Sequence, residues 1–188
     1  MSRRLPPLLL AATMALPIAA ASAQHSPYAG EQGRDIKALS GREVADLLAG
    51  RGMGMARAAE LNGYPGPMHV LELRDRLGIT PEQEAAVRAS FARMEAAAKP
   101  PGAELVEHER ALDRAFAGGA ADMEAVRSMT AAIGSLQGRL RGVHLVAHVE
   151  TRAVLSGDQV RVYDALRGYS HSEGAPERHS GGQHGRPH

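Results

Sequence analysis

Over residues 122–154 the apolar positions Val126, Met129, Ile133, Leu136, Leu140, Val143 and Ala147 recur in alternating steps of three and four. That seven-residue repeat predicts one long helix packed lengthwise against another. Toward its end, the run Val143-His144-Leu145-Val146-Ala147-His148-Val149 is apolar nearly all round, which predicts cover on more than one side, most simply by a second subunit. A second helix is predicted over 81–99, with Val87, Phe91, Met94 and Ala98 on its apolar face. Pro100-Pro101-Gly102 then predicts a break or sharp kink, because a proline in a helix interior removes a hydrogen bond and clashes with the preceding turn. A further segment follows with Leu105, Leu112 and Phe116, and stops at Gly118-Gly119. Shorter helices are predicted after Ser40, with Val44, Leu47 and Leu48, over 68–77, ended by Gly78, and over 157–166, with Val160, Tyr163 and Leu166 inward. Residues 62–67, Asn-Gly-Tyr-Pro-Gly-Pro, read as a turn. The fold class is all-α, with four to five helices.

One short pattern occurs twice: Ile79-Thr80-Pro81-Glu82-Gln83 and Leu155-Ser156-Gly157-Asp158-Gln159. In each, a hydroxyl residue stands at an N-cap, Thr80 or Ser156, and a glutamine three residues on, Gln83 or Gln159, can reach back to the cap's own N–H. An apolar residue precedes each cap as a possible staple, and Pro81 occupies the first helical position, where its missing N–H costs nothing. Ser40 with Glu43 repeats the capping pattern ahead of the first helix.

Composition places this helical domain outside the cytoplasm. Arg3 and Arg4, an apolar run from Leu5 to Ala20 broken by three prolines, and Ala21-Ser22-Ala23 make residues 1–23 a secretory signal peptide, with cleavage expected before Gln24 and export of the mature chain. Without those two arginines, Lys and Arg number 20 against 21 acidic residues, about −1 in all, which gives no reason to expect nucleic acid. The chain has no Cys, so neither disulfides nor thiolate chemistry enter. With no Trp, two Phe and four Tyr, an Ala, Leu, Val and Met core favours thin helical layers. Residues 24–39 read as a flexible leader, 40–168 as one all-α domain, and 169–188 as a disordered His-rich tail.

The chemistry-bearing residues are few. No Ser/His/Asp order, clefted carboxylate pair, HExxH or phosphate-binding loop is found, and no catalytic activity is expected. The glycines at 50, 52 and 54 follow a helix and no strand, so they read as a site of close packing or a kink, with Met53 and Met55 as adaptable apolar contacts. His144 and His148 are spaced i and i+4, so both rings lie on one helix face and could share a divalent ion with a ligand from another helix; the reading set against this, and ahead of it, makes both hydrogen-bonded residues of a packed dimer seam. His171, His179, His184 and His188 decorate the tail, where a flexible tract binds Zn, Ni or Cu weakly or does nothing in particular. Glu104, Glu107, Glu109 and Asp113 read as a solvated acidic face.

With these features in this order the chain resembles the Spy/CpxP family of periplasmic proteins, also called LTxxQ after its repeated motif, whose relatives include the ZraP proteins and CnrX-type periplasmic heavy-metal sensors. The resemblance covers about residues 68–168. It rests on the first motif with Ile79 for Leu, on Pro100-Pro101, on the long helix with Leu145-Val146-Ala147-His148-Val149-Glu150-Thr151, and on the second motif with Ser156 for Thr. It implies a thin, curved hairpin or cradle that pairs as an antiparallel homodimer. The implied function is that of an ATP-independent chaperone whose concave face shelters unfolded envelope proteins during envelope stress, through Met, Leu and Val framed by Arg88, Arg93, Arg114, Arg127, Arg139 and Arg141. A sensor kinase's periplasmic domain is a further implied partner; no cofactor, nucleic acid or stable membrane insertion after signal cleavage is expected. The alternative is a periplasmic heavy-metal sensor or resistance protein that binds Zn, Cu or Ni.

Overall fold

The structure is a computed structural model that describes residues 27–169. The chain up to Gln32 separates as a unit of its own, in which residues 27–30 form a turn; the unit from Gly33 onward carries every helix of the described residues. The expected signal peptide, its cleavage site and the tail from residue 170, with His171, His179, His184 and His188, lie outside the described residues.

The described residues form an all-α fold of seven helices: α1 (Gly41–Leu48), α2 (Arg57–Glu60), α3 (Pro67–Glu72), α4 (Arg74–Leu77), α5 (Pro81–Ala117), α6 (Met123–Val154) and α7 (Gly157–Arg167). The count exceeds the expected four to five for local reasons. The helix expected at 68–77 divides at Leu73, whose φ of −100° and ψ of 10° leave the α region, and the glycines at 50–54 separate α1 from the single turn of α2. Gly78 ends α4 in the left-handed conformation, at φ 56°.

α5 and α6 form an antiparallel hairpin, since Arg93 pairs with Glu150, Met94 meets His144, and Glu104 pairs with Arg139. The expected break at 100–102 is absent: α5 runs 37 residues through Pro100 and Pro101. The prolines leave the carbonyls of Ala96 and Ala97 without helical donors, a local cost of about 3 kcal/mol or more each. Both alanines are exposed, so water can satisfy those oxygens. On either side of the pair Ala98, Leu105 and Val106 are buried in one apolar cluster, and burying each larger side chain contributes roughly 1.5–3 kcal/mol. Tertiary packing therefore outweighs the local penalty. Gly102 lies against the end of α1, so close that a β-carbon would sit 2.2 Å from the Leu47 carbonyl oxygen.

All three predicted capping boxes form, at Ser40/Glu43, Thr80/Gln83 and Ser156/Gln159. The two repeated copies also meet each other. Gln83 Nε2 donates to Gln159 Oε1 at 2.9 Å and Gln159 Nε2 donates to Gln83 Oε1 at 3.0 Å. Each amide donates its second hydrogen to a carbonyl two residues before the other copy's cap, Val154 for Gln83 and Gly78 for Gln159. Each amide oxygen also accepts from its own cap N–H, at 2.9 Å. Both side-chain amides are thereby saturated, in a locally two-fold arrangement that ties the start of α5 to the start of α7.

The hairpin carries two apolar cores rather than one. The first gathers Leu47, Ala98, Leu105, Val106, Ile133, Leu136 and Leu140, together with Ile36 from the leader, which is only 2% exposed. The second, near the paired caps, gathers Val70, Leu77, Val87, Leu155, Val160 and Tyr163.

Candidate functional site

Between the two cores the facing residues of the hairpin become polar or sulfur-bearing: Ser90 and Met94 on α5, His144, His148 and Thr151 on α6. Ser90 Oγ and Arg93 Nη2 both donate to Glu150 Oε2, at 2.7 Å each, and these bonds hold the Glu150 carboxyl below its ordinary range. Thr151 returns its hydroxyl to the Ala147 carbonyl at 2.7 Å. This interval opens into a cleft of about 750 Å³ that the segment 50–67 roofs, lined by Met53, Leu61, Met68, Phe91 and Met94 with Arg42, Arg51 and Arg57 around it.

Both predicted helix histidines line this cleft. His144 is 2% exposed; its Nδ1 lies 3.3 Å from Met94 Sδ, and its Nε2 is buried without a hydrogen-bond partner. Burial, and then the neighbouring His148, push its pKa down, so the ring is neutral near pH 7. His148 Nδ1 stands 2.7 Å from the Tyr64 carbonyl oxygen. A carbonyl only accepts, so Nδ1 carries the proton and a neutral ring keeps its lone pair on Nε2. The roof approaches so closely that a β-carbon at Gly66 would fall 3.0 Å from the His148 ring. The cover expected from a second subunit thus comes, on the histidine side, from the chain's own residues 50–67. On the outer side of α6, Val146 and Val149 remain more than half exposed.

The roof is anchored by Glu60. Its carboxylate accepts from the Tyr163 hydroxyl at 2.5 Å and from the Gly66 N–H at 3.1 Å, and stands 3.6 Å from Arg167 Nε and from His148 Nδ1. Burial and the adjoining carboxylate push the Tyr163 hydroxyl far above its ordinary value, so it remains a donor. Asp164 is raised for the same two reasons, and its Oδ1 is buried without a partner. Nothing in the sequence pointed to Glu60, because its chief partner lies 103 residues away. Met94 was legible as an apolar position of α5, but its sulfur contact was not.

Other expected site features are used differently. Thr80, Gln83, Ser156 and Gln159 lie at the paired caps, and none of them lines the cleft. Of the six arginines expected to frame a binding face, Arg88, Arg93, Arg127 and Arg139 pair with Glu84, Glu150, Glu124 and Glu104, and the cleft is instead framed from α1 and the roof. The acidic face of α5 is largely paired as well: Glu107 with Arg110, and Asp113 with Lys37. Among the described residues no three His, Cys, Asp or Glu side chains stand together as a metal shell of those donors requires, and no helix is long and apolar enough to cross a membrane.

Compared with known proteins, the chain matches no family model, no curated protein and no solved structure.

Proposed function

We propose that this chain is an exported, non-catalytic binding protein of the Spy/CpxP kind, which holds apolar segments of unfolded envelope proteins without ATP. The observation that carries the reading is the cleft: three methionines with Leu61 and Phe91, ringed by arginines, in the gap between two separate cores. Methionine side chains adapt to many shapes, which suits a surface that must take unrelated clients. Met53, Leu61 and Met68 are 40%, 52% and 47% exposed, an arrangement that leaves apolar surface ready for a partner. Opening the roof would disturb contacts around Glu60 while leaving the buried hairpin of either core in place. In the same reading the protein works as a homodimer in the periplasm, and a sensor-kinase domain is a second partner.

The test is suppression of aggregation. Mature protein at stoichiometric amounts should slow light scattering by a chemically denatured client. Leu61→Asp with Met68→Asp, at exposed positions, should remove most of that effect while far-ultraviolet circular dichroism stays unchanged. Unaltered scattering with the wild-type protein would end the proposal.

A second reading, a periplasmic metal sensor or metal-binding resistance protein, is favoured by one specific observation: His144 and His148 both face the cleft, and each has a ring nitrogen that no strong protein partner occupies.

A further inference from the structure

A buried histidine kept for structure ordinarily has both ring nitrogens in hydrogen bonds, because each unpaired one costs about 1–3 kcal/mol. His144 departs from this. One nitrogen has only a thioether, a weak acceptor, within hydrogen-bond reach, and the other has no hydrogen-bond partner. The ring is nearly sealed from water and fixed on a long helix opposite Met94 on its hairpin partner. We propose that His144 Nδ1 and Met94 Sδ are the chelating edge of a site for a soft monovalent cation of the Cu(I) class. This deepens the metal-binding reading above and is independent of client binding.

The geometry admits an ion, and the donors favour a soft one. An ion about 2.0 Å from nitrogen and about 2.3 Å from sulfur, with an angle of roughly 100° between them, holds those atoms about 3.3 Å apart. The two stand 3.3 Å apart in the structure. Thioether and imidazole donors without a carboxylate or thiolate suit Cu(I), whereas zinc sites are built from thiolate, imidazole and carboxylate ligands. The carboxylate close by, Glu60, is already engaged by Tyr163, Gly66 and Arg167. His148, one turn on from His144, offers the third donor: its Nδ1 stands 2.7 Å from the Tyr64 carbonyl oxygen, which orients the ring as outer partners orient metal-bound histidines. The roof over the cleft limits water at the site, which protects a Cu(I) ion from oxidation.

The test uses the mature full-length chain, so that the tail histidines are common to every variant. Cu(I) is delivered anaerobically from a chromogenic chelator, Ag(I) serves as a redox-inert probe, and Zn(II) is titrated separately. Wild type should withdraw one equivalent of Cu(I) from the chelator. Met94→Leu, which keeps the volume and the packing, should weaken Cu(I) binding at least tenfold and leave Zn(II) binding unchanged. Ag(I) should shift the Met94 methyl and His144 ring resonances in wild type. Equal Cu(I) affinity in wild type and Met94→Leu, or Ag(I) shifts confined to the tail, would overturn the proposal. Cu(I) binding lost in His144→Ala/His148→Ala but unchanged in Met94→Leu would overturn the soft site and keep the metal-binding reading. Absence of any binding beyond the tail would end both, with the aggregation assay unaffected.

Discussion

At Gly102 a β-carbon would need space that the Leu47 carbonyl oxygen already occupies, 2.2 Å away. Alanine is favoured over glycine by about 1 kcal/mol in a helix interior, yet here it would push α1 off α5. Gly102→Ala is therefore expected to destabilise the protein by about 2–4 kcal/mol in chemical denaturation; a gain in stability would show that α1 does not pack there. Gly102 was legible in the sequence only as a helix breaker, because a breaker and a contact glycine look alike until the partner backbone is in place. Asp164 carries the opposite expectation. Its folded pKa is raised above the ordinary 3.8 by burial and by Glu60, so the folded state holds the proton more tightly than the unfolded chain does. Stability contributed at this residue thus falls as pH rises from about 3.8 through the raised value. Asp164→Asn should stabilise the protein at pH 7 by on the order of 1 kcal/mol, with the gain shrinking toward pH 4, measured as melting temperature against pH. A gain independent of pH would show that the carboxylate charge is not responsible.

Among the elements, the paired caps are the clearest case of local signal and distant consequence. Each capping box needs only four consecutive residues, so both were legible from Thr80-Gln83 and Ser156-Gln159 alone. That the two glutamines then join each other was not, since the pairing depends on how α5 and α7 are brought together. A double-mutant cycle on Gln83→Ala and Gln159→Ala should give a coupling energy of about 1–2 kcal/mol, because each single change leaves the other amide short of a partner. Additive effects would mean that the two caps act independently. The long helices show the limits of punctuation. The heptad pattern located α6 almost to the residue, with Asp122 as its N-cap. The proline pair misled because local rules price the lost hydrogen bonds and omit the burial of Ala98, Leu105 and Val106 around them.

For the whole molecule, the outer face of α6 bears on association. Between residues 131 and 153, the helix positions opposite the α5 contact are Ala131, Ser135, Gly138, Gly142, Val146, Val149 and Ala153, and Gly138 and Gly142 have nothing within 4 Å of a built β-carbon. Small residues fill one half of this stripe and valines the other, so an antiparallel second copy would set valines over glycines. The homodimer proposed above should therefore fall to monomer in Val146→Glu/Val149→Glu, measured by sedimentation velocity; a wild-type monomer at micromolar concentration would remove it from the proposal. The sequence by itself determined the helical class, the starts of the major helices and the capping chemistry, because these depend on residues within a turn or two of one another. Only the tertiary structure decided that α5 runs through two prolines, that two cores rather than one hold the hairpin, and that His144 faces Met94 beneath a roof tied down by Glu60. Those outcomes depend on contacts between residues far apart in the chain, whose free energies exceed the local preferences and leave no local mark.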